Sequence, residues 1–296
     1  MRTEIKHVLD GLSGQGYVGD RTLATTVHLA LELEKPLLVE GAAGVGKTEI
    51  AKALSSWLEL ELIRLQCYEG LDIYTALYEW NYQRQLLRIR LAGDTSDPTR
   101  LEETIFGPDF LLARPLLQAI RSEQRVVLLI DEVDRSDEEF EAFLLEILSD
   151  FQVSIPEIGT VCAKSKPVVV LTSNGTRELS DALRRRCLYL WIDYPSPEKE
   201  LAVLRTRFPD LRPQIAEDAV CFVQRLRDER LSKPPGVAET IDFVAALDAL
   251  GADAIEAEDV GATLGALIKD PGDFAALDRD EVARLLAPMP EAPDSE

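Results

Sequence analysis

Residues 36–48 read Pro36-Leu37-Leu38-Val39-Glu40-Gly41-Ala42-Ala43-Gly44-Val45-Gly46-Lys47-Thr48. The short apolar run at 36–40 suits a strand buried on both faces of a parallel sheet, and it stops at a glycine. Beyond the loop, Ile50, Leu54, Trp57 and Leu58 recur at helix spacing, so the stretch spells strand, tight loop, helix. Gly41 to Thr48 fits the phosphate-cradling pattern G-x-x-x-x-G-K-[ST] in the context that pattern requires. Glycines let backbone N–H groups close around a phosphate chain, and the helix N-terminus adds its partial positive charge. There Lys47 reaches the β- and γ-phosphates of ATP, Thr48 offers its hydroxyl to Mg²⁺, and Glu49 follows in the same turn. A glycine-rich turn without chemistry is the bland alternative.

Working outward, 21–34 carries Leu23, Val27, Ala30 and Leu31 at helix spacing, and 62–67 reads as a second strand. An aromatic segment, 68–91, and a polar loop, 93–103, precede an expected helix around 110–121. Residues 125–130 form the next buried strand. Ser136 and Glu139 then stand at capping-box spacing before Phe140, Phe143, Leu144, Ile147 and Leu148. A hairpin is expected over 151–163, a strand at 168–171, a short helix at 180–185 and a strand at 188–192. Alternating strands and helices imply a parallel sheet with helices on both faces. From Pro197 the pattern is helical: 201–208, 216–226, 237–250, 260–268 and 274–286. The division expected is therefore an α/β domain over 1–196, a helical domain over 197–287 and a disordered tail over 288–296.

Val126 to Ile130 delivers Asp131 and Glu132 to the C-terminal end of a buried strand, where open α/β sheets bind their ligands. Asp131 suits the Mg²⁺ shell, and Glu132 can polarise an attacking water as general base. Val168 to Ser173 places Asn174 at the end of another strand, positioned to orient the same water or simply to form a turn. Arg184, Arg185 and Arg186 close the short helix, where cations favour the dipole. Their sharper reading is an arginine finger, Arg186 first and Arg185 next, reaching the γ-phosphate held by a neighbouring subunit.

Among the 296 residues, 32 Lys and Arg face 53 Asp and Glu, a net charge of −21. So acidic a surface repels a nucleic-acid backbone and disfavours a DNA motor, and it also serves plain solubility. Met1 to Lys6 mixes charges, and no run approaches the ~20 apolar residues of a membrane span, so a cytoplasmic location without membrane contact is expected. Cys67, Cys162, Cys187 and Cys221 lack paired spacing and read as buried thiols.

Taken together, these motifs resemble the AAA+ ATPases and, within them, the MoxR family, over residues 17–268. The resemblance implies a P-loop AAA+ parallel sheet sandwiched by helices, then a small all-helical lid, in closed hexameric rings. It also implies that Val18 lines an adenine pocket and that Asn174 occupies the sensor-1 position. Three stretches, 66–72, 76–82 and 233–240, are similar to the ATPase encoded beside molybdenum-containing carbon monoxide dehydrogenase. That likeness implies a chaperone that matures a client metalloenzyme together with a von Willebrand factor A-domain partner; related members activate other enzymes, rubisco among them. An assembly scaffold that binds ATP with little turnover is the alternative. Thr240 stands where many members carry a sensor-2 arginine, with Lys233 nearby as a substitute or a solvated loop residue. Tyr74, Tyr78, Trp80 and Tyr82 fall where such rings carry pore-facing loops, and ordinary packing of aromatics is the other reading.

Overall fold

In the computed structural model, which describes residues 2–92 and 98–287, the apolar segments become nine strands. They are β1 (Leu37–Gly41), β2 (Leu62–Gln66), β3 (Tyr78–Trp80), β4 (Leu111–Ala113), β5 (Val127–Asp131), β6 (Gln152–Ile155), β7 (Gly159–Cys162), β8 (Val168–Ser173) and β9 (Leu188–Ile192). Five of them make one parallel sheet in the order β2-β5-β8-β1-β9. Every residue of β1, β5 and β8 is buried, as helices on both faces require, whereas the edge strands β2 and β9 alternate. The α/β sheet with flanking helices, followed by a helical C-terminal region, is the architecture the alternation of elements implied.

By internal packing the chain divides into two compact units. One comprises Met1–Gly41 and Lys47–Ile192; the other comprises Ala42–Gly46 and Asp193–Glu296. In the first, helices Arg2–Gly14, Arg21–Glu32, Lys47–Leu58, Pro115–Arg121, Glu138–Asp150 and Asp181–Arg186 accompany the sheet. Leu38, Leu128, Ile130, Leu171, Leu116 and Leu144 belong to its core, each worth about 1.5–3 kcal/mol of burial. The helix from Glu138 is capped by Asp137, whose carboxylate accepts the Phe140 N–H, and not by Ser136. A 3-10 turn over Val133–Arg135 advances the chain by one residue and engages the Ser136 hydroxyl with the Val133 carbonyl at 2.7 Å.

Between β2 and the Pro115–Arg121 helix the sequence expectation needs correction. Residues 110–113 are not α-helical: Phe110 closes a 3-10 turn, Pro108–Phe110, that leads into β4, which pairs antiparallel with β3, and the α-helix starts only at Pro115. Proline suits that first turn, where its missing N–H costs nothing. The aromatic segment folds as a short helix Ile73–Ala76, then β3, then a helix Tyr82–Ala92. Of the polar loop expected at 93–103, residues 93–97 lie outside the described residues and 98–103 belong to the helix Pro98–Ile105. Tyr78 and Trp80 are buried, in an edge-to-face series Tyr74–Tyr78–Trp80–Phe106, while Tyr74 and Tyr82 are exposed. β6 and β7 form the expected hairpin.

The second unit holds helices Pro197–Arg207, Pro213–Asp228, Val237–Ala249, Ala257–Leu267, Pro271–Ala276 and Arg279–Leu286. The single helix read over 274–286 is two, because the chain breaks helical geometry at Leu277 and Asp278 caps the second piece through the Glu281 N–H. The tail expected at 288–296 lies outside the described residues. Only Cys67 is a fully buried thiol; Cys187 is half-buried, and Cys162 and Cys221 are exposed on the outer faces of β7 and of the helix Pro213–Asp228. Among the described residues no helix is long and apolar enough to cross a membrane.

Candidate functional site

The chain leaves β1 at Gly41, where a Cβ would lie 2.0 Å from the Ile192 carbonyl oxygen of β9, so only glycine allows the two strands to run this close. In the loop that follows, Gly44 adopts φ +75° and Gly46 φ +91°, conformations that side chains disfavour. Residues 42–46 pack with the start of the helix Val237–Ala249. A Cβ on Gly44 would meet the Glu239 carboxylate at 2.6 Å, one on Gly236 would lie 2.8 Å from the Ala43 carbonyl, and the Ala238 N–H donates to the Gly44 carbonyl at 3.1 Å. Val45 is buried, Ala42 half-buried and Ala43 exposed.

Lys47, only 7% exposed, opens the next helix and donates from Nζ to the Gly41 carbonyl at 2.9 Å and to Asn174 Oδ1 at 2.7 Å. Burial presses its ammonium below the ordinary lysine range, against the opposing pull of Asp134, Asp131, Glu132 and Glu40. Thr48 Oγ1 donates to Asp131 Oδ1 at 3.0 Å, and Thr172 Oγ1 reaches the same oxygen at 2.5 Å. Asp131 Oδ2 takes the guanidinium of Arg64, at 3.1 Å from Nε and 2.5 Å from the terminal nitrogen.

Glu132 stands in the left-handed region, φ 56° and ψ 50°, a conformation that costs a non-glycine residue of order 1–3 kcal/mol and that clusters at working sites. It is held there by its N–H on Thr172 Oγ1, at 2.9 Å. Its carboxylate accepts from Gln66 Nε2 at 3.1 Å and pairs with Arg135 at 3.1 Å. Asp134 is buried and accepts from the Asn174 N–H at 3.2 Å, the Thr176 N–H at 3.0 Å and the Thr176 hydroxyl at 2.6 Å. Burial raises its pKa, but these hydrogen bonds outweigh that and hold it below the ordinary carboxylate range.

Lys47, Thr48, Asp131, Glu132 and Asn174 thus gather at the C-terminal ends of β1, β5 and β8. The arginines separate. Arg184 turns inward to Glu40, which also accepts from Tyr189 at 2.9 Å and Ser173 at 3.1 Å. Arg185 is exposed, and Arg186 donates to Ser149 Oγ at 2.6 Å and to the Ala182 carbonyl at 3.2 Å. Val18 is half-buried in the connection between the first two helices, and Glu49 is exposed and paired with Lys52 at 2.5 Å. Thr240 is wholly buried within the helical unit, bonded to Glu200 at 2.6 Å, while Lys233 is exposed.

Four residues escaped the sequence reading: Arg64, Gln66, Thr172 and Asp134. The signal for the first two was the alternation Leu62-Ile63-Arg64-Leu65-Gln66, which puts both polar side chains on one face of a strand in register with β5, Gln66 opposite Asp131.

The donors are hard oxygens from a hydroxyl and a carboxylate. Mg²⁺ takes such a set when phosphate oxygens and water complete its octahedron, so the residues present fit a magnesium nucleotide. Residues 37–191 match the model of the ATPase family associated with various cellular activities (AAA). The chaperone protein ClpB of Bacillus cereus is 30% identical over 147 residues, 48% of this chain and 14% of ClpB. ClpB of Chlamydia trachomatis is 28% identical over 217 residues, 71% of this chain and 21% of that protein. The chain therefore spans a small part of these relatives. A RuvB variant of Thermotoga maritima shares the fold, with a TM-score of 0.51 at 18% identity over 90% of this chain and 73% of RuvB.

Proposed function

The chain belongs to the ATPase family associated with various cellular activities (AAA), and from that membership we propose that it turns ATP binding and hydrolysis into remodelling of another protein. The observation that carries the reading is the convergence of Lys47, Thr48, Asp131, Glu132 and Asn174 on one end of the sheet. Lys47 binds the β- and γ-phosphates, with Asn174 holding its ammonium in line. Thr48 and Asp131 hold Mg²⁺, which when bound neutralises charge on the phosphate oxygens. Glu132 takes the proton of the attacking water. Arg186, or Arg185 beside it, serves the site of an adjacent subunit in a homo-oligomeric, hexameric ring.

The finer reading is a MoxR-like chaperone that matures a metalloenzyme, a molybdenum-containing carbon monoxide dehydrogenase being the client the motifs favour, with a von Willebrand factor A-domain partner in the cytoplasm. The P-loop, the Asp131-Glu132 strand end and the three stretches similar to the dehydrogenase-associated ATPase support it. A net charge of −21 argues against a nucleic-acid motor. One observation favours a second reading, a scaffold of low turnover: Gln66 and Arg135 both occupy the Glu132 carboxylate.

Glu132→Gln decides between them. It should keep magnesium-ATP affinity and lose phosphate release by about 10²–10⁴-fold, the range a general base contributes, with and without client. Phosphate release at the parent rate would remove the hydrolytic role from Glu132; a parent protein that binds ATP yet releases no phosphate with any client favours the scaffold.

A further inference from the structure

The helix Tyr82–Ala92 reads Tyr82-Gln83-Arg84-Gln85-Leu86-Leu87-Arg88-Ile89-Arg90-Leu91-Ala92, with three arginines and no acid in a chain of net charge −21. Its polarity is inverted. The inward position is Gln85, buried, whose side chain donates to the Ile105 carbonyl at 2.7 Å. Arg84, exposed and about 100° further round the helix, reaches back to donate to the Asp109 carbonyl at 2.9 Å with its guanidinium 5.3 Å from the centre of the Phe110 ring. The leucines face out: Leu86 is 59% exposed, Leu87 57% and Leu91 72%, with Tyr82 at 62%. A contiguous exposed aliphatic strip of this kind marks an interaction surface.

We propose that this face docks an acidic amphipathic segment of a partner protein. At about 100° per residue, Arg90 falls between Leu86 and Leu87 on the helix circumference, so a cation stands inside the aliphatic strip. An occupant must therefore bring a carboxylate among its apolar side chains. An acyl chain cannot do that, and on a bilayer Arg90 would have to bend out of the aliphatic strip to reach a headgroup phosphate, whereas a protein carboxylate meets it in place. A second copy offering the same face would set its arginines against these. A partner helix with leucines at helix spacing, flanked by glutamates, meets both demands, and charge complementarity then sets which partners are accepted. The surface stands apart from the residues that hold nucleotide, so the proposal does not depend on the function proposed above.

The test is fluorescence anisotropy of two labelled helical peptides with one leucine pattern, flanked by glutamate in one and by lysine in the other, titrated with the full chain. The glutamate peptide should bind at least about tenfold tighter. Arg88→Glu with Arg90→Glu should abolish or invert that preference. Leu86→Gln, Leu87→Gln and Leu91→Gln together should remove binding of both peptides; circular dichroism and nucleotide affinity should match the parent in each variant. Equal binding of the two peptides overturns the proposal, as does a preference that survives the arginine reversal. So does binding to phosphatidylserine vesicles in place of the peptide, which would make the face a membrane contact. So does loss of self-association in the leucine variant without any effect on peptide, which would assign the face to a second copy.

Discussion

Asp134 shows how a residue outside the motif set can govern one inside it. Its carboxylate is 3% exposed and accepts three hydrogen bonds from the turn that carries Asn174, the amide that holds Lys47. Asparagine there keeps the shape but turns an amide N–H towards donors, leaving at least one buried group unpaired at about 1–3 kcal/mol. Because the folded-state pKa lies below the unfolded value of ~3.9, the ionised carboxylate stabilises the fold above that pH, and the contribution fades as pH falls through the lowered folded value. Asp134→Asn should therefore lose about 1–3 kcal/mol in urea denaturation at pH 7, and the gap to the parent should narrow in acid below ~pH 3.9. A gap that stayed constant or widened in acid would show that Asp134 does not act through its charge. Sequence patterning could not name Asp134, since a strand-end acid next to Asp131 and Glu132 reads as one more solvated carboxylate. The burial that distinguishes it comes from the 3-10 turn over Val133–Arg135 and from β8 beside it, both contacts made in three dimensions.

Among elements, the helical unit is organised by an ionic knot that no periodicity announces. Glu200 is wholly buried, and its carboxylate receives Arg227 at 2.5 and 2.7 Å, the Thr240 hydroxyl at 2.6 Å and Gln224 at 2.8 Å, tying together the helices Pro197–Arg207, Pro213–Asp228 and Val237–Ala249. Arg227 also lies 5.3 Å from the centre of the Tyr194 ring. Removing one partner of such a pair strands the other in a dry interior, so Glu200→Ala or Arg227→Ala should each cost about 3–5 kcal/mol. Replacing both with leucine and methionine should recover most of that, as judged by thermal melts followed by circular dichroism. Recovery of less than half would show that the knot supplies stability beyond relieving its own burial. The strands of the parallel sheet were legible because each is a short apolar run between punctuating residues, and the glycine-lysine loop was legible because its chemistry is local. The segment 73–121 was not: β3 and β4 are three residues each, too short for a period, and their pairing is set by partners some thirty positions apart.

For the whole molecule, the separation of the three arginines carries the argument. Arg184 belongs to its own chain's strand end through Glu40, whereas Arg186 is exposed and, among the described residues, hydrogen-bonds to Ser149 and Ala182 of its own helical neighbourhood. A cation serving the nucleotide of an adjacent subunit needs that exposure, and it has to exchange the Ser149 hydroxyl for a phosphate oxygen, a favourable exchange because the new partner is charged. Arg186→Ala should then assemble and bind magnesium-ATP like the parent while turnover falls by about 10³-fold or more. Mixed with Glu132→Gln subunits, it should regain a fraction of the activity, because some interfaces join an intact arginine to an intact glutamate. Gel filtration with light scattering, nucleotide anisotropy and phosphate release read the three expectations separately. Turnover at the parent rate would shift the role to Arg185, and a variant that loses both assembly and activity, with no recovery on mixing, would make Arg186 an interface residue and not a finger.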